Sequence, residues 1–197
     1  MAETEITVQC YDDLATIFTT LTKNGLVQSS QFQLNDWYWS ALSNEALSQI
    51  DFAAKVGRSV LVREIVRDGQ TKVQLVHKAK TVDEHGNVVA ENKTVVKVDE
   101  LDKVLAVFEQ AGLNNWCVSH NTSYVFTKPD EPGCEFAVQV IEGLGTFIEF
   151  EEYPAIQHLT PVLKIAQLQN QVQQFALHLG TDFMVKKAEL LFQQSLH

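Results

Sequence analysis

Ser59-Val60-Leu61-Val62-Arg63-Glu64-Ile65-Val66-Arg67-Asp68-Gly69-Gln70-Thr71-Lys72-Val73-Gln74-Leu75-Val76-His77-Lys78 is the stretch that decides the fold class. Two β-branched, alternating runs, 58–67 and 71–80, flank Asp68-Gly69, the strongest hairpin signal in the chain. Strands joined by so tight a turn must be antiparallel. On the C-terminal side, 88–98 reads as a third strand after a His85-Gly86-Asn87 turn, and 99–111 as a helix with Leu101, Val104, Leu105 and Phe108 on one face. Residues 115–126 and 134–141 form a second hairpin around Pro129–Gly133, and 145–152 the last strand. On the N-terminal side lie an aromatic-rich strand at 31–40 and a short helix at 44–55. Before them, a helix carrying Leu14, Ile17, Phe18 and Leu21 runs between caps at Asp12 or Asp13 and a stop at Asn24-Gly25. Thr4, Ile6 and Val8 alternate with Glu3, Glu5 and Thr7 in the first strand. Gln-rich amphipathic helices are predicted at about 161–179 and 183–195, separated by Gly180.

About eight strands and four or five helices result, and the sheet is largely antiparallel. Strands polar on one face and apolar on the other suit a closed barrel with a polar interior and helices outside, although pattern alone admits an open α+β sandwich. The 197 residues correspond to one ordinary domain or two very small ones, and we read 1–197 as one, with the helices from about 155 onward belonging to it. Fifteen basic against twenty-five acidic residues give a net charge of −10, which argues against nucleic acid or an anionic membrane as partner. No apolar run approaches a membrane span, and the N-terminal stretch has neither the basic nor the apolar region of a signal peptide. Cys10, Cys117 and Cys134, odd in number and without CxxC spacing, read as reduced thiols of a cytoplasmic protein.

Two carboxylate pairs carry the chemistry. Glu3 and Glu5, at i and i+2 on a strand, share a face about 7 Å apart and present oxygen ligands suited to Mg²⁺ or Mn²⁺. Glu149 and Glu151 repeat the arrangement on a strand whose Phe147, Ile148 and Phe150 make it half buried. Arg63, Lys78 and Lys93 lie on separate strands, and one polar interior could gather them into an anion site. His77, His120 and the Trp37-Tyr38-Trp39 run read as ordinary packing residues.

Glu3-Thr4-Glu5-Ile6-Thr7 resembles the E-x-E-x-K signature of the CYTH family, the triphosphate tunnel enzymes that include class IV adenylate cyclases and triphosphatases. Further matches follow in order: Asn35-Asp36-Trp37-Tyr38-Trp39 to its D-x-Y-F strand, Val60-Leu61-Val62-Arg63-Glu64 to L-R-x-R-E, and Leu75-Val76-His77-Lys78 to T-x-K. Glu142-Gly143-Leu144-Gly145-Thr146-Phe147-Ile148-Glu149-Phe150-Glu151 is similar to its G-L-G-x-F-x-E-x-E block. The resemblance covers nearly the whole chain. It implies an eight-stranded antiparallel β-barrel of α+β class whose tunnel binds a triphosphate. Glu3, Glu5, Glu149 and Glu151 would be metal-side acids, and Arg63 and Lys78 phosphate ligands.

The departures are as informative. Usual cations are Thr7, Leu61, Ser119 and Asn121, and the R-x-E-x-E strand falls on Glu91-Asn92-Lys93-Thr94-Val95, with its first two charges swapped in sign. Usual acids are replaced by Gln139 and Val95. A triphosphate entering a tunnel with so few cations is poorly compensated for desolvation, and phosphoryl transfer depends on positioned cations. The leading expectation is therefore a divergent tunnel protein that binds a divalent metal and a phosphate-containing or other anionic ligand, with catalysis weak or lost. The alternatives are an active triphosphatase or cyclase using Lys72, Lys80 or Lys97, and a non-catalytic interaction scaffold. A tunnel filled by Leu61, Val95 and aromatics would favour the scaffold.

Overall fold

The computed structural model describes residues 4–82 and 88–196, with side chains for these apart from 80–82 and 88–90. Among the described residues, eight strands form one antiparallel sheet, ordered β1-β8-β7-β6-β2-β3-β4-β5: β1 Glu5–Cys10, β2 Val27–Ser40, β3 Ser59–Arg67, β4 Gln70–Val82, β5 Val88–Val98, β6 Asn114–Thr127, β7 Glu135–Ile141 and β8 Gly145–Glu151. The helices are α1 Leu14–Lys23, α2 Asn44–Ser48, α3 Phe52–Gly57, α4 Leu101–Gln110, α5 Pro161–Gln173 and α6 Lys187–Ser195. No helix among the described residues is long and apolar enough to cross a membrane. The residues group into two compact units. The middle unit comprises Phe32–Asn121 with the stretch from Lys186, and the flanking unit the stretch up to Gln31 with Thr122–Val185.

In the middle unit the β3–β4 hairpin forms as predicted. Arg67 pairs with Gln70, and Asp68 (φ 51°) and Gly69 (φ 74°) both take the left-handed conformation of a two-residue turn whose twist matches the strands. The register then runs Arg63 to Gln74 and Leu61 to Val76, while β2 pairs Asp36 with Arg63 and Tyr38 with Leu61. Alternation sends the two sets of side chains to opposite faces. On one face Trp39, Val62 and Val73 form a core with Leu101, Val104, Leu105 and Phe108 of α4. On the other, Tyr38, Leu61 and Val76 join Leu47, Trp116, Ala188 and Phe192. The helix predicted over 44–55 is two helices. Ser43 accepts from the Ala46 N–H and Asp51 from the Ala54 N–H, so the Asp51 carboxylate starts a new helix where the sequence pattern runs on. The predicted His85-Gly86-Asn87 turn lies outside the described residues.

The flanking unit is built on β1, β8 and β7, with Ile6 opposite Phe150 and Phe150 opposite Phe136. The Phe136 and Phe150 rings stack at 3.8 Å. Ile17 and Leu21 of α1 and Leu168 and Val172 of α5 close this core. Asp13 caps α1, its carboxylate accepting from the Thr16 N–H at 2.8 Å. The two C-terminal helices are shorter than predicted. α5 ends at Gln173, Ala176 takes φ 53°, and the chain then runs along β1. There Tyr11 N–H donates to His178 O, Gly180 N–H to Gln9 O and Thr7 N–H to Phe183 O, at 2.8–2.9 Å. Helical periodicity is overridden because β1 ends the strand order, and its unpaired backbone groups need partners.

Lys164 of α5 holds Glu152, just after β8, at 2.8 Å, and Glu152 also accepts from the Thr4 N–H at 3.0 Å. Burial pushes the Glu152 carboxyl up, but the Lys164 and Thr4 hydrogen bonds together outweigh it and hold the group below its ordinary value. A carboxyl with a depressed folded pKa contributes stability that is present above the unfolded value near 4.5 and is lost as pH falls through the folded one. Lys164→Met is expected to cost about 1–3 kcal/mol at pH 7, and urea denaturation should show the gap from wild type narrowing only as the pH falls below about 4.5.

Candidate metal and anion sites

The acidic site lies in the flanking unit. In the β1–β8 ladder Glu5 stands opposite Glu151 and Thr7 opposite Glu149, so the face turned away from Ile6, Val8, Ile148 and Phe150 carries the three glutamates. Their carboxylates each bring one oxygen within 4.8 Å of the others. Oxygens bound cis on one Mg²⁺ are about 3.0 Å apart and trans ones about 4.2 Å, so the three carboxylates would close by up to roughly 1.8 Å to share an ion. Three hard anionic oxygens suit Mg²⁺ or Mn²⁺ better than a soft metal. Glu5 and Glu149 are half buried and Glu151 is exposed. Buried Gln139, at a position usually acidic in the resemblance, donates its amide to Glu149 at 3.3 Å and so stands as a hydrogen-bond donor rather than a fourth charge. Thr7 is buried between β8 and the 178–185 segment. Glu3 lies outside the described residues.

The three predicted cations lie in the middle unit. Arg63 donates through Nε and Nη2 to the two oxygens of Asp36 at 2.8 and 2.7 Å, a bidentate pair between register partners. Lys78 and Lys93 stand directly opposite one another on β4 and β5, and both ammonium groups lie 3.4 Å from Oε1 of Glu91. The three cations singled out in the sequence are thus each held by a carboxylate of the same unit. Asp36 and Glu91, both with side chains about 8% exposed, are the partners that sequence reasoning did not assign. Glu91 was legible as a sign reversal in the fifth strand, whereas Asp36 required the β2–β3 register. Leu61 is buried in the apolar cluster, and the space among Tyr38, Val56, Ser59, Leu61, Val76 and Lys78 has no room for a water molecule. Val95, by contrast, is 48% exposed and Lys97 is exposed too, so neither fills this face. The Lys80 side chain lies outside the described residues.

Burial, with Asp36 adding to it, raises the Tyr38 hydroxyl well above its ordinary value and pushes the Cys117 thiol up to about 12. Burial raises Cys134 to about 12 and also raises Cys10, which disfavours the reactive thiolate at all three buried cysteines. His77 bonds the Gly57 carbonyl and His120 the Asn35 side chain, both as exposed residues on the middle unit.

No family model and no curated protein sequence matches the chain. Solved structures do match. A Pyrococcus horikoshii protein aligns over 99% of both chains at 17% identity, with a TM-score of 0.70. A protein assigned as an adenylate cyclase from Vibrio parahaemolyticus aligns over 98% of both at 16% identity and 0.67. The fold is theirs. HpAC1 from Hippeastrum, assigned as an adenylyl cyclase and described as having a dominant triphosphatase activity, matches over 98% of this chain and 96% of its own at 14% identity and 0.60. The resemblance read in the sequence is therefore borne out at the level of the fold, over nearly the full length of the chain.

Proposed function

We propose that the chain is a divergent, single-domain member of the triphosphate tunnel group that binds a divalent ion and a small phosphate-bearing or other anionic ligand, with catalysis weak or lost. The observation that carries this reading is the convergence of Glu5, Glu149 and Glu151 within 4.8 Å on one face. These residues would hold Mg²⁺ or Mn²⁺, with Glu3 beside Glu5 in the sequence as a fourth donor. A bound ion supplies positive charge that offsets phosphate oxygens. Arg63, Lys78 and Lys93 would face the anion, and Asp36 and Glu91 already offset much of their charge. This supports weak rather than vigorous phosphoryl chemistry, which depends on unspent positive charge at the transferring group.

Calorimetric titration with Mn²⁺ checks the metal half. Wild type is expected to bind weakly, and Glu149→Gln to bind at least about tenfold more weakly, because one of three anionic donors is lost. Absence of binding by wild type at millimolar Mn²⁺ would remove the metal from the proposal. That outcome favours the second reading, an interaction scaffold, to which the packing around Leu61 lends its own support.

A further inference from the structure

We propose that the outer edge of β5 is an interaction surface for a second copy of this chain, the two β5 strands pairing antiparallel about a two-fold axis at Thr94. The inference is independent of any ion or anion.

β5 is the last strand of the order, so alternate backbone groups along it point away from β4. Among the described residues, no backbone group of 91–98 bonds a segment outside the sheet ladders. Residues 92–97 are exposed without a break, Val95 by 48% and Val96 by 54%. β1, at the other end of the order, is treated differently, since 178–185 supply its backbone with partners. An edge left open is a template for another strand unless brevity, proline, a bulge or charge blunts it. β5 has eleven residues and no proline, and its register shift against β4 lies at Thr81–Val82, beyond the 91–98 stretch. Each copy carries a net charge of −10, so contact is favoured where acids are few. The exposed run 92–97 holds two lysines and no acid.

Register decides whether those lysines repel. Antiparallel strands alternate two kinds of residue pair, so a two-fold axis passes where a residue faces its own copy. An axis at Glu91, Lys93 or Lys97 sets like charges opposite each other, and one at Val95 sets Lys93 against Lys97 of the second copy. With the axis at Thr94, Glu91 faces Lys97 of the second copy and Lys97 faces its Glu91, while Lys93 faces Val95 and Asn92 faces Val96. Two opposite-charge pairs form, and no like charges meet. An axis at Asn92 pairs Glu91 with Lys93 but runs the ladder into 88–90, where the β4–β5 register shifts. An axis at Val96 leaves only 94–98 of the strand paired. The Thr94 axis pairs 90–98, a small interface of the weak, concentration-dependent kind.

Sedimentation velocity of the whole chain from about 1 μM to about 1 mM, the span of weak association, is expected to show a monomer–dimer equilibrium. Lys97→Glu turns both opposite-charge pairs into like pairs and should weaken the dimer at least about tenfold. Lys23→Glu, the same change of net charge on α1, should leave it unchanged. Oxidative cross-linking locates the axis. A residue on the axis has its Cα about 4.5–5.5 Å from that of its copy, within reach of a disulfide. A residue two positions away is about 14 Å from its own copy, out of reach. Thr94→Cys should therefore form a covalent dimer, and Asn92→Cys and Val96→Cys should not, while Cys10, Cys117 and Cys134 are buried. A chain that stays monomeric over the whole range overturns the proposal and leaves the edge to a different partner. A dimer that Lys97→Glu leaves intact overturns it as well, as does one cross-linked by Asn92→Cys or Val96→Cys rather than by Thr94→Cys. Where circular dichroism shows Lys97→Glu unfolded, the cross-linking series decides.

Discussion

Replacing Phe192 with alanine is expected to destabilise the protein by about 3–5 kcal/mol, the range for deleting a fully buried aromatic side chain. Phe192 is fully buried and belongs to the cluster of Tyr38, Leu61, Val76 and Trp116. Its ring meets Trp116 edge-on at 5.4 Å and lies 4.7 Å beneath the Lys55 ammonium. Lys55 is itself only 2% exposed and is held by Glu189 of α6 at 2.6 and 2.8 Å. The ring thus supports both the apolar cluster and the environment of a buried ion pair, so the cavity left by alanine cannot easily collapse. For a chain of this size the loss corresponds to roughly 10 °C in Tm. Guanidinium unfolding of Phe192→Ala beside Leu196→Ala, which alters a side chain 41% exposed, checks it. The second variant should stay within about 0.5 kcal/mol of wild type. A Phe192→Ala effect below about 1 kcal/mol would mean that α6 does not pack as described.

The second large effect concerns rate. Hydrolysis or cyclisation of a triphosphate is expected to fall at least about 10²-fold below that of a tunnel enzyme with its cations in place. Loss of one transition-state contact typically costs about 2.7–4 kcal/mol, a factor of 10²–10³. Four positions that are basic in the resemblance hold Thr7, Leu61, Ser119 and Asn121. Losses within one site do not multiply, so one factor is the appropriate lower bound. Packing makes the loss at Leu61 hard to compensate. The side chain is 2% exposed, and no water fits in the space beside it, so neither solvent nor a mobile ion stands in for the missing guanidinium. Steady-state kcat/KM against that of an active tunnel enzyme under the same conditions measures the difference.

The strand positions and the hairpin were legible because their signals are local. Asp68-Gly69 dictates its own turn and, by counting outward, the β3–β4 register. The i, i+2 spacing of Glu149 and Glu151 likewise fixes their common face, and the structure adds Glu5 across the ladder. Residues 174–179 and 183–186 were not legible. Their amphipathic pattern continues that of the helices beside them, but the hydrogen-bonding demand of β1 that draws them out is a tertiary fact. The neutralisation of Arg63 belongs to the same category. β2 and β3 are joined through α2 and α3 rather than a tight turn, so no short-range pattern sets Asp36 opposite Arg63. Lys78 and Lys93 were found as cations, yet their direct opposition, with Glu91 between them, appears only once the β4–β5 register is known.

The proposed reading joins an acidic metal site in the flanking unit with cations of the middle unit that are held by Asp36 and Glu91. The most direct measurement incubates wild type and Lys78→Ala with ATP, thiamine triphosphate and inorganic triphosphate in Mg²⁺ or Mn²⁺, and follows phosphate, pyrophosphate and cyclic AMP together. The account predicts slow or undetectable product formation by wild type on every substrate, with little further loss in Lys78→Ala. Rapid metal-dependent turnover by wild type that Lys78→Ala abolishes would contradict it.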